Sequence, residues 1–393
     1  MKRYCKKIDI TDRKLISKAA YTCLEGKLKR NDTLRLIANE CKMTPEQIYC
    51  IIYRYGKEAV YPMVERIIDR IRSEIISRKL DLPPIWYKEK VDPSSGKIRR
   101  IGIQNVKQQI YDYIAVIALQ PIFGRIGRHQ YASIKGRGPL KGARRILRWM
   151  RNKAIRYAGK ADIKKCYESI DQNKLMEFLE KYIANAPLIW LIKELISTFE
   201  KGLSIGSYLS QHLCNLYLSQ LYHAISEDMY RIRKHRNGGR ERINLVKHVL
   251  LYMDDIYIAG ANAKDLHKAM KLIISKAKEM GFEIKESWCV FRCSGQKEFV
   301  DMMGYRIYRD HMTIRRRVFK RVRRAYLRAA RKISRHKKIS VNLARRVMSY
   351  KGQLKNSNSR YAEQKYKAKG VSKICRRIVS NYDSTIFRRA ATC

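Results

Sequence analysis

Apolar positions in the first part of the chain recur at helical spacing. Val64, Ile67, Ile68, Ile71 and Ile75 share one face of the 63–76 stretch, and the region up to about Leu80 reads as short amphipathic helices. From Leu82 to Gly96 prolines and glycines punctuate the pattern, which predicts strands and a hairpin tip. A helical period returns from Val106 to Leu119. Residues 155–163 predict a strand running into Asp162. Leu175, Phe178, Leu179, Tyr182 and Ile183 then mark a helix with Asp171 as its N-cap. Residues 248–259 run apolar, acidic, apolar, the pattern of a hairpin. Leu266, Met270, Ile273, Ile274 and Ala277 mark another helix, which Gly281 would stop. Strand–helix–strand–strand–helix order predicts an α+β fold, with helices on one face of an antiparallel sheet. Beyond Thr313 the pattern changes. Val318, Val322, Tyr326, Leu327, Ala330 and Ile333 fall on one face of a basic amphipathic helix, and no acidic residue occurs from Arg315 to Arg346.

Charge sharpens this picture. Among 393 residues, 86 Lys+Arg face 35 Asp+Glu, a formal net charge of +51. Hydrophobic residues make up 45%, enough to fill a core, so a disordered tail protein is excluded. Twenty Gly and eight Pro exclude a collagen-like fibre. A chain this basic repels itself unless it works beside a polyanion; nucleic acid is the first candidate and an anionic membrane surface the second. The uncompensated basic run after Arg315 points to nucleic acid, because solvated helix faces normally carry Glu–Lys pairs. No run of about 18 apolar residues and no apolar leader occurs, so the expectation is a cytoplasmic protein that does not enter a membrane. Ten cysteines are scattered along the chain. The one close pair, Cys289 and Cys293, has no matching second pair, which favours thiols over a zinc site or a disulfide framework.

In so basic a chain the carboxylates stand out. Tyr252–Met253–Asp254–Asp255 lies between Val249–Leu251 and Ile256–Ile258. Two adjacent carboxylates at a tight tip repel one another unless a cation lies beside them. Mg²⁺ suits such a place, since it takes carboxylates, water and phosphate oxygens. Asp162, at another strand end, could complete a site in which two ions about 3.5–4 Å apart clamp the attacking and leaving oxygens of a phosphoryl displacement. A plain Asp-Asp turn is the alternative. Glu168 and Asp171 read as structural.

Taken in order, these residues resemble a reverse transcriptase across roughly residues 80–350. Ser95–Gly96–Lys97–Ile98–Arg99 resembles the fingers motif, and Gln130–Tyr131–Ala132–Ser133 with Gly136–Arg137–Gly138 resembles the next block. Ala161–Asp162–Ile163–Lys164–Lys165–Cys166–Tyr167 resembles the first palm motif, Tyr252–Asp255 the palm hairpin, and Met303–Gly304–Tyr305 the primer grip. Ile205–Gly206–Ser207–Tyr208–Leu209–Ser210–Gln211 reads IGxxxSQ where most relatives carry QGxxxSP. That departure, together with 285–291 and 349–352, resembles the reverse transcriptases of diversity-generating retroelements.

The resemblance implies a right-hand polymerase fold: an N-terminal helical region (1–79), fingers (80–150), a ferredoxin-like palm (151–312) and a helical basic thumb (313–393). It implies two Mg²⁺ ions, replaceable by Mn²⁺, held by Asp162, the Ile163 main chain, Asp254 and Asp255. Lys97 and Arg99 would meet the incoming triphosphate, or else grip template backbone. Tyr167 would be the steric gate beneath the sugar, or a core aromatic. Ile205, with Gly206, would lie near the nascent base pair; an apolar chain there removes a hydrogen bond and loosens fidelity, unless it only packs beneath the fingers. Lys285 would protonate the leaving pyrophosphate. Tyr252, Met253, Gly304, Tyr305, Arg316, Lys320, Arg323 and Arg324 would touch nucleic acid. Implied partners are template RNA, a DNA or RNA primer, deoxynucleoside triphosphates and a small basic accessory protein oligomer. Implied function is adenine-mutagenic cDNA synthesis from a template-repeat RNA in a bacterium or phage. Rivals are a group II intron-like or defence-related reverse transcriptase and a non-catalytic basic RNA-binding scaffold.

Overall fold

The computed structural model describes residues 2–92, 96, 98–236 and 238–389, of which 383–389 by backbone alone. In chain order come α1 (Arg13–Leu24), α2 (Asn31–Cys41), α3 (Pro45–Tyr55), α4 (Tyr61–Ile76), β1 (Trp86–Val91), β2 (Ile98–Ile103), α5 (Val106–Ala118), β3 (Gln130–Tyr131), α6 (Pro139–Met150) and β4 (Tyr157–Asp162). Next are α7 (Gln172–Tyr182), α8 (Ala186–Ser197), α9 (Tyr208–His223), β5 (Tyr230–Lys234), β6 (Arg240–Asn244), β7 (His248–Tyr252), β8 (Asp255–Gly260) and α10 (Ala263–Glu279). The chain ends with β9 (Cys289–Arg292), β10 (Val300–Met302), β11 (Tyr305–Ile307), β12 (Met312–Ile314), α11 (Arg316–Ser334), α12 (Val341–Lys355), α13 (Arg360–Lys365) and α14 (Ala368–Arg389). The chain forms two compact units. The first holds Met1–Ile134, Ala161–Met229 and Met270–Trp288; the second holds Lys135–Lys160, Tyr230–Ala269 and Cys289–Cys393.

In the first unit α1 packs against α4 and α5. The stripe Val64, Ile67, Ile68, Ile71 and Ile75 is buried as its period requires. α3 starts with a capping box, in which Thr44 and Gln47 satisfy each other's main-chain N–H, and with Pro45 in its first turn. Buried Lys107 of α5 is held by Glu74 at 2.9 Å and Asp81 at 2.8 Å, so the charge that enters the core enters paired. β1 and β2 form an antiparallel ribbon, from Trp86 opposite Ile103 to Val91 opposite Ile98. The helix predicted after Asp171 is α7, and Asp171 caps it by accepting from the main-chain N–H of Asn173 and Lys174.

In the second unit β7, β8, β4 and β9 lie side by side in that order. β7 and β8 are antiparallel from His248 opposite Ala259 to Tyr252 opposite Asp255; β4 and β9 pair antiparallel from Tyr157 opposite Arg292. Gly159 lets these strands approach: a Cβ there would stand 2.7 Å from Ile258 Cγ1. α6 covers β7, with Trp149 stacked on His248 at 4.6 Å. A small sheet, β10–β11–β12, follows.

The basic amphipathic helix expected from Val318 to Ile333 is α11, and the basic run continues past its end. α11 ends at Ser334, His336 takes φ +52°, Ile339 is buried, and Ser340 caps α12 by accepting from Leu343 N–H at 3.4 Å. The serine supplies a cap that the arginine-rich run masks. α11, α12 and α14 build a core of their own from Val322, Tyr326, Ala329, Leu343, Val347 and Cys375. Among the described residues no cysteine forms a disulfide, and no helix is long and apolar enough to cross a membrane.

Candidate active site

In the first unit, β4 ends at Asp162 and the chain is immediately fastened to residues 283–285. Lys164 N–H donates to the Glu283 carbonyl at 2.8 Å, and Lys285 N–H donates to the Asp162 carbonyl at 2.9 Å. Neither bond uses the carbonyl of buried Ile163, which lies between them, opposite Ile284. The same register carries Lys285 Nζ to Asp162 Oδ1, where it donates a charge-assisted hydrogen bond. Lys285 is thus an ion-pair partner of Asp162.

Tyr167, five residues on, is half-buried, and its carbonyl accepts from Leu203 N–H at 2.9 Å. The contact is tight because Gly202 adopts φ +56°; a Cβ there would stand 2.4 Å from that carbonyl oxygen. Next, the Ile205 carbonyl accepts from Gly102 N–H of β2 at 2.8 Å. Gly206, at φ +121°, lies so close that a Cβ would meet the Gly102 carbonyl oxygen at 2.4 Å. The Arg100 guanidinium reaches Glu200 at 2.9 Å, so β2 is tied to the 200–206 loop at two points. Ile205 itself is half-buried and Gly206 is exposed. Arg99 is exposed on β2 and paired with Asp92 at 3.2 Å, and Lys97 lies outside the described residues.

Sequence reasoning missed a polar centre behind this loop. Asp112 of α5 is fully buried; its carboxylate accepts from Ser207 Oγ–H at 2.7 Å, Leu209 N–H at 3.2 Å and Gln104 Nε2–H at 3.3 Å. Burial outweighs these bonds and pushes its pKa up to about 6. Ser207 also caps α9. Its sequence signal is a single aspartate on α5, a helix that also carries Lys107, Gln108 and Gln109, and its partner lies 95 residues away.

In the second unit, Tyr252 and Asp255 close the β7–β8 ladder and leave Met253 and Asp254 as a two-residue turn. Met253 is buried at 9% exposure and sits at φ +52°, a left-handed conformation that costs a non-glycine residue about 1 kcal/mol or more. Strain at such a turn is often tied to function. The half-buried Tyr252 phenol is pushed up in pKa by burial and then by Asp255 and Asp254. Lys160 of β4 stands 3.8 Å from Asp255 Oδ1 and donates to the Asp301 carbonyl at 2.9 Å. Met303 and Gly304, at φ +54° and +86°, turn β10 into β11. Tyr305 is buried at 7% exposure, and burial raises its pKa, so its ring packs inward. Arg316, Lys320, Arg323 and Arg324 lie on the exposed face of α11. Arg323, Arg324, Leu327, Arg328 and Arg331 border an open groove of about 610 Å³.

Carboxylates suit a hard divalent cation, and each unit offers its own, Asp162 in the first and Asp254 and Asp255 in the second. Asp162, Asp254 and Asp255 offer carboxylate oxygens, and Asp162 and Asp255 each already face an ammonium group in their own unit. Among the described residues no three His, Cys, Asp or Glu side chains gather as ligands of one ion.

Residues 88–307 match the family described as "Reverse transcriptase (RNA-dependent DNA polymerase)", more than half of the chain. The chain belongs to that reverse transcriptase family and carries an RNA-directed DNA polymerase domain of mixed α+β fold. Among curated proteins none matches it. Among solved structures it is similar to apo telomerase from Candida tropicalis truncated from the C-terminal domain, at 16% identity and TM-score 0.42, over 64% of this chain and 60% of that one. It is also similar to telomerase from Candida albicans in complex with a TWJ fragment of telomeric RNA, at 11% identity and TM-score 0.41, over 78% of this chain and 62% of that one. The chain thus spans about three fifths of the length of these structures.

Proposed function

We propose that this reverse transcriptase makes error-prone cDNA, mutagenic at template adenines, from a template-repeat RNA that diversifies a target gene. The observation that carries this reading is the IGxxxSQ loop: a main-chain bond from Gly102 N–H to the Ile205 carbonyl holds it against β2, and it presents an isoleucine where the QGxxxSP pattern it resembles has a glutamine. An apolar side chain there offers no hydrogen bond to a base pair. Loss of one such bond lowers discrimination by about 1–3 kcal/mol, which loosens fidelity while leaving synthesis intact.

In this reading Asp162, Asp254, Asp255 and the Ile163 main chain hold two Mg²⁺ ions, with Mn²⁺ as a substitute. Bound there, the metal supplies charge neutralisation at the transferring phosphoryl group. Lys285, held beside Asp162, donates a proton to the leaving pyrophosphate. Tyr167 excludes a 2′-hydroxyl by its bulk, and Lys97 and Arg99 meet the triphosphate. The turns at Met253 and Gly304 and the arginines of α11 guide primer and template as palm and thumb, and 80–150 acts as fingers. Template RNA, primer and a small basic accessory protein are the partners, in the cytoplasm of a bacterium or a phage-infected cell.

Primer extension on a defined RNA template, with the products sequenced, tests this. Wild type should yield cDNA with errors concentrated opposite adenine, and Asp254→Asn/Asp255→Asn should yield none. Ile205→Gln should reduce the errors at adenine. Even, low error rates in wild type would move the protein to the intron-like or defence-related class. Salt-sensitive RNA binding without any incorporation would favour the scaffold.

A further inference from the structure

Between α9 and β7 the chain makes an antiparallel ribbon, β5–β6, that joins no larger sheet among the described residues. Its register sorts its side chains onto two faces. One face carries Arg231, Arg233, Glu241 and Ile243. It is the anchored face: Arg231 donates to Asp265 of α10 at 3.1 Å, Ile243 is half-buried, and Glu241 also pairs with His235 at 3.3 Å. The other face carries Tyr230, Ile232 and Lys234 from β5 opposite Asn244, Arg242 and Arg240 from β6. All six are exposed, Tyr230 at 41% and Ile232 at 56%. That face holds three cations and no carboxylate. Arg242 lies over the Tyr230 ring, its guanidinium carbon 3.8 Å from the ring centroid.

A lone two-stranded ribbon is marginal in water, and a partly exposed Tyr and an exposed Ile on it make it more so. An aromatic–guanidinium stack beside an aliphatic side chain, bordered by Lys234 and Arg240, is the chemistry that takes unpaired bases on their π-faces and phosphates at the rim. We propose that this outer face of β5–β6 is a binding surface for a single-stranded polynucleotide. A duplex, whose bases are stacked within, would leave the Tyr230–Arg242 stack unused. The inference concerns a surface apart from the carboxylates and does not depend on the adenine-mutagenic reading.

The test measures binding of the full chain to labelled twelve-nucleotide oligouridine RNA, oligothymidine DNA and a twelve-base-pair duplex across a salt series. Lys234→Ala/Arg240→Ala/Arg242→Ala should weaken single-strand binding tenfold or more. It should also lower the slope of log affinity against log salt by about 2, since each phosphate contact to a single strand contributes about 0.7. Arg233→Ala, on the anchored face, should stay within twofold of wild type. Ile232→Trp adds a stacking surface and should tighten single-strand binding about fivefold or more, a gain that misfolding cannot produce. Effects on RNA alone, DNA alone or both support the proposal and identify the strand. Effects confined to the duplex, or an unchanged slope with no gain from Ile232→Trp, overturn it.

Discussion

Asp112 is the residue whose chemistry most exceeds its sequence signal. Its carboxyl is fully buried between Ser207, Leu209 and Gln104, with its pKa raised to about 6. A raised carboxyl pKa favours the protonated folded form. Its stabilising contribution is therefore complete below the unfolded value of about 3.9 and is lost as pH rises through about 6. Asp112→Asn cannot ionise. The stability of wild type relative to Asp112→Asn should thus fall by roughly 2 kcal/mol between pH 4 and pH 7. Urea unfolding of both proteins across that range measures it, and a pH-independent difference would remove the assignment. The contrast with Asp162, Asp254 and Asp255 shows what was legible at this scale. Those three lie at strand ends amid scarce acids, so pattern and charge reveal them. Asp112 is made special by a partner 95 residues away, which no local pattern encodes. Lys285 was legible as a candidate, yet its pairing with Asp162 follows from the register of 162–164 against 283–285.

At the scale of elements, the periodic helices and the 248–259 hairpin were readable because their burial follows local period. Val64 to Ile75 and Leu175 to Leu179 are buried as spaced. The break between α11 and α12 was not, because Ser340 is one cap signal inside a run of cations. Nor could sequence show why Gly102 and Gly206 are glycines, since each answers to the other element's backbone or side chains. Gly206→Ala would place a Cβ 2.4 Å from the Gly102 carbonyl oxygen at φ +121°, so β2 and the 204–207 loop must separate. Gly304→Ala meets nothing within 4 Å at φ +86° and bears only the conformational cost. The expected outcome is about 1 kcal/mol lost for Gly304→Ala and clearly more, about 2–3 kcal/mol, for Gly206→Ala. Thermal unfolding of the two variants beside wild type reads the difference. Equal losses would show that the close approach at Gly102 relaxes without cost.

At the scale of the whole molecule the dominant quantity is the net charge of +51. Each compact unit is assembled from three separate stretches of chain, an arrangement that depends on non-local pairing and so escapes a reading made along the sequence. The charge, by contrast, is fully legible from composition. Its consequences for stability and for binding have opposite signs. In the chain without nucleic acid, like charges repel within the folded state, and salt screens that repulsion over a Debye length of about 10 Å at 0.1 M. Raising salt from about 0.05 to 0.5 M should therefore raise the Tm of the isolated chain by several degrees. Over the same range, affinity for single-stranded RNA should fall by orders of magnitude, because bound counterions are no longer released at a gain. At low salt, saturating RNA should itself raise Tm, since it binds the folded chain. Differential scanning fluorimetry and a binding titration on one preparation measure all three. A Tm that falls with salt would show that ion pairs such as Lys107 with Glu74 and Asp81 outweigh the general repulsion.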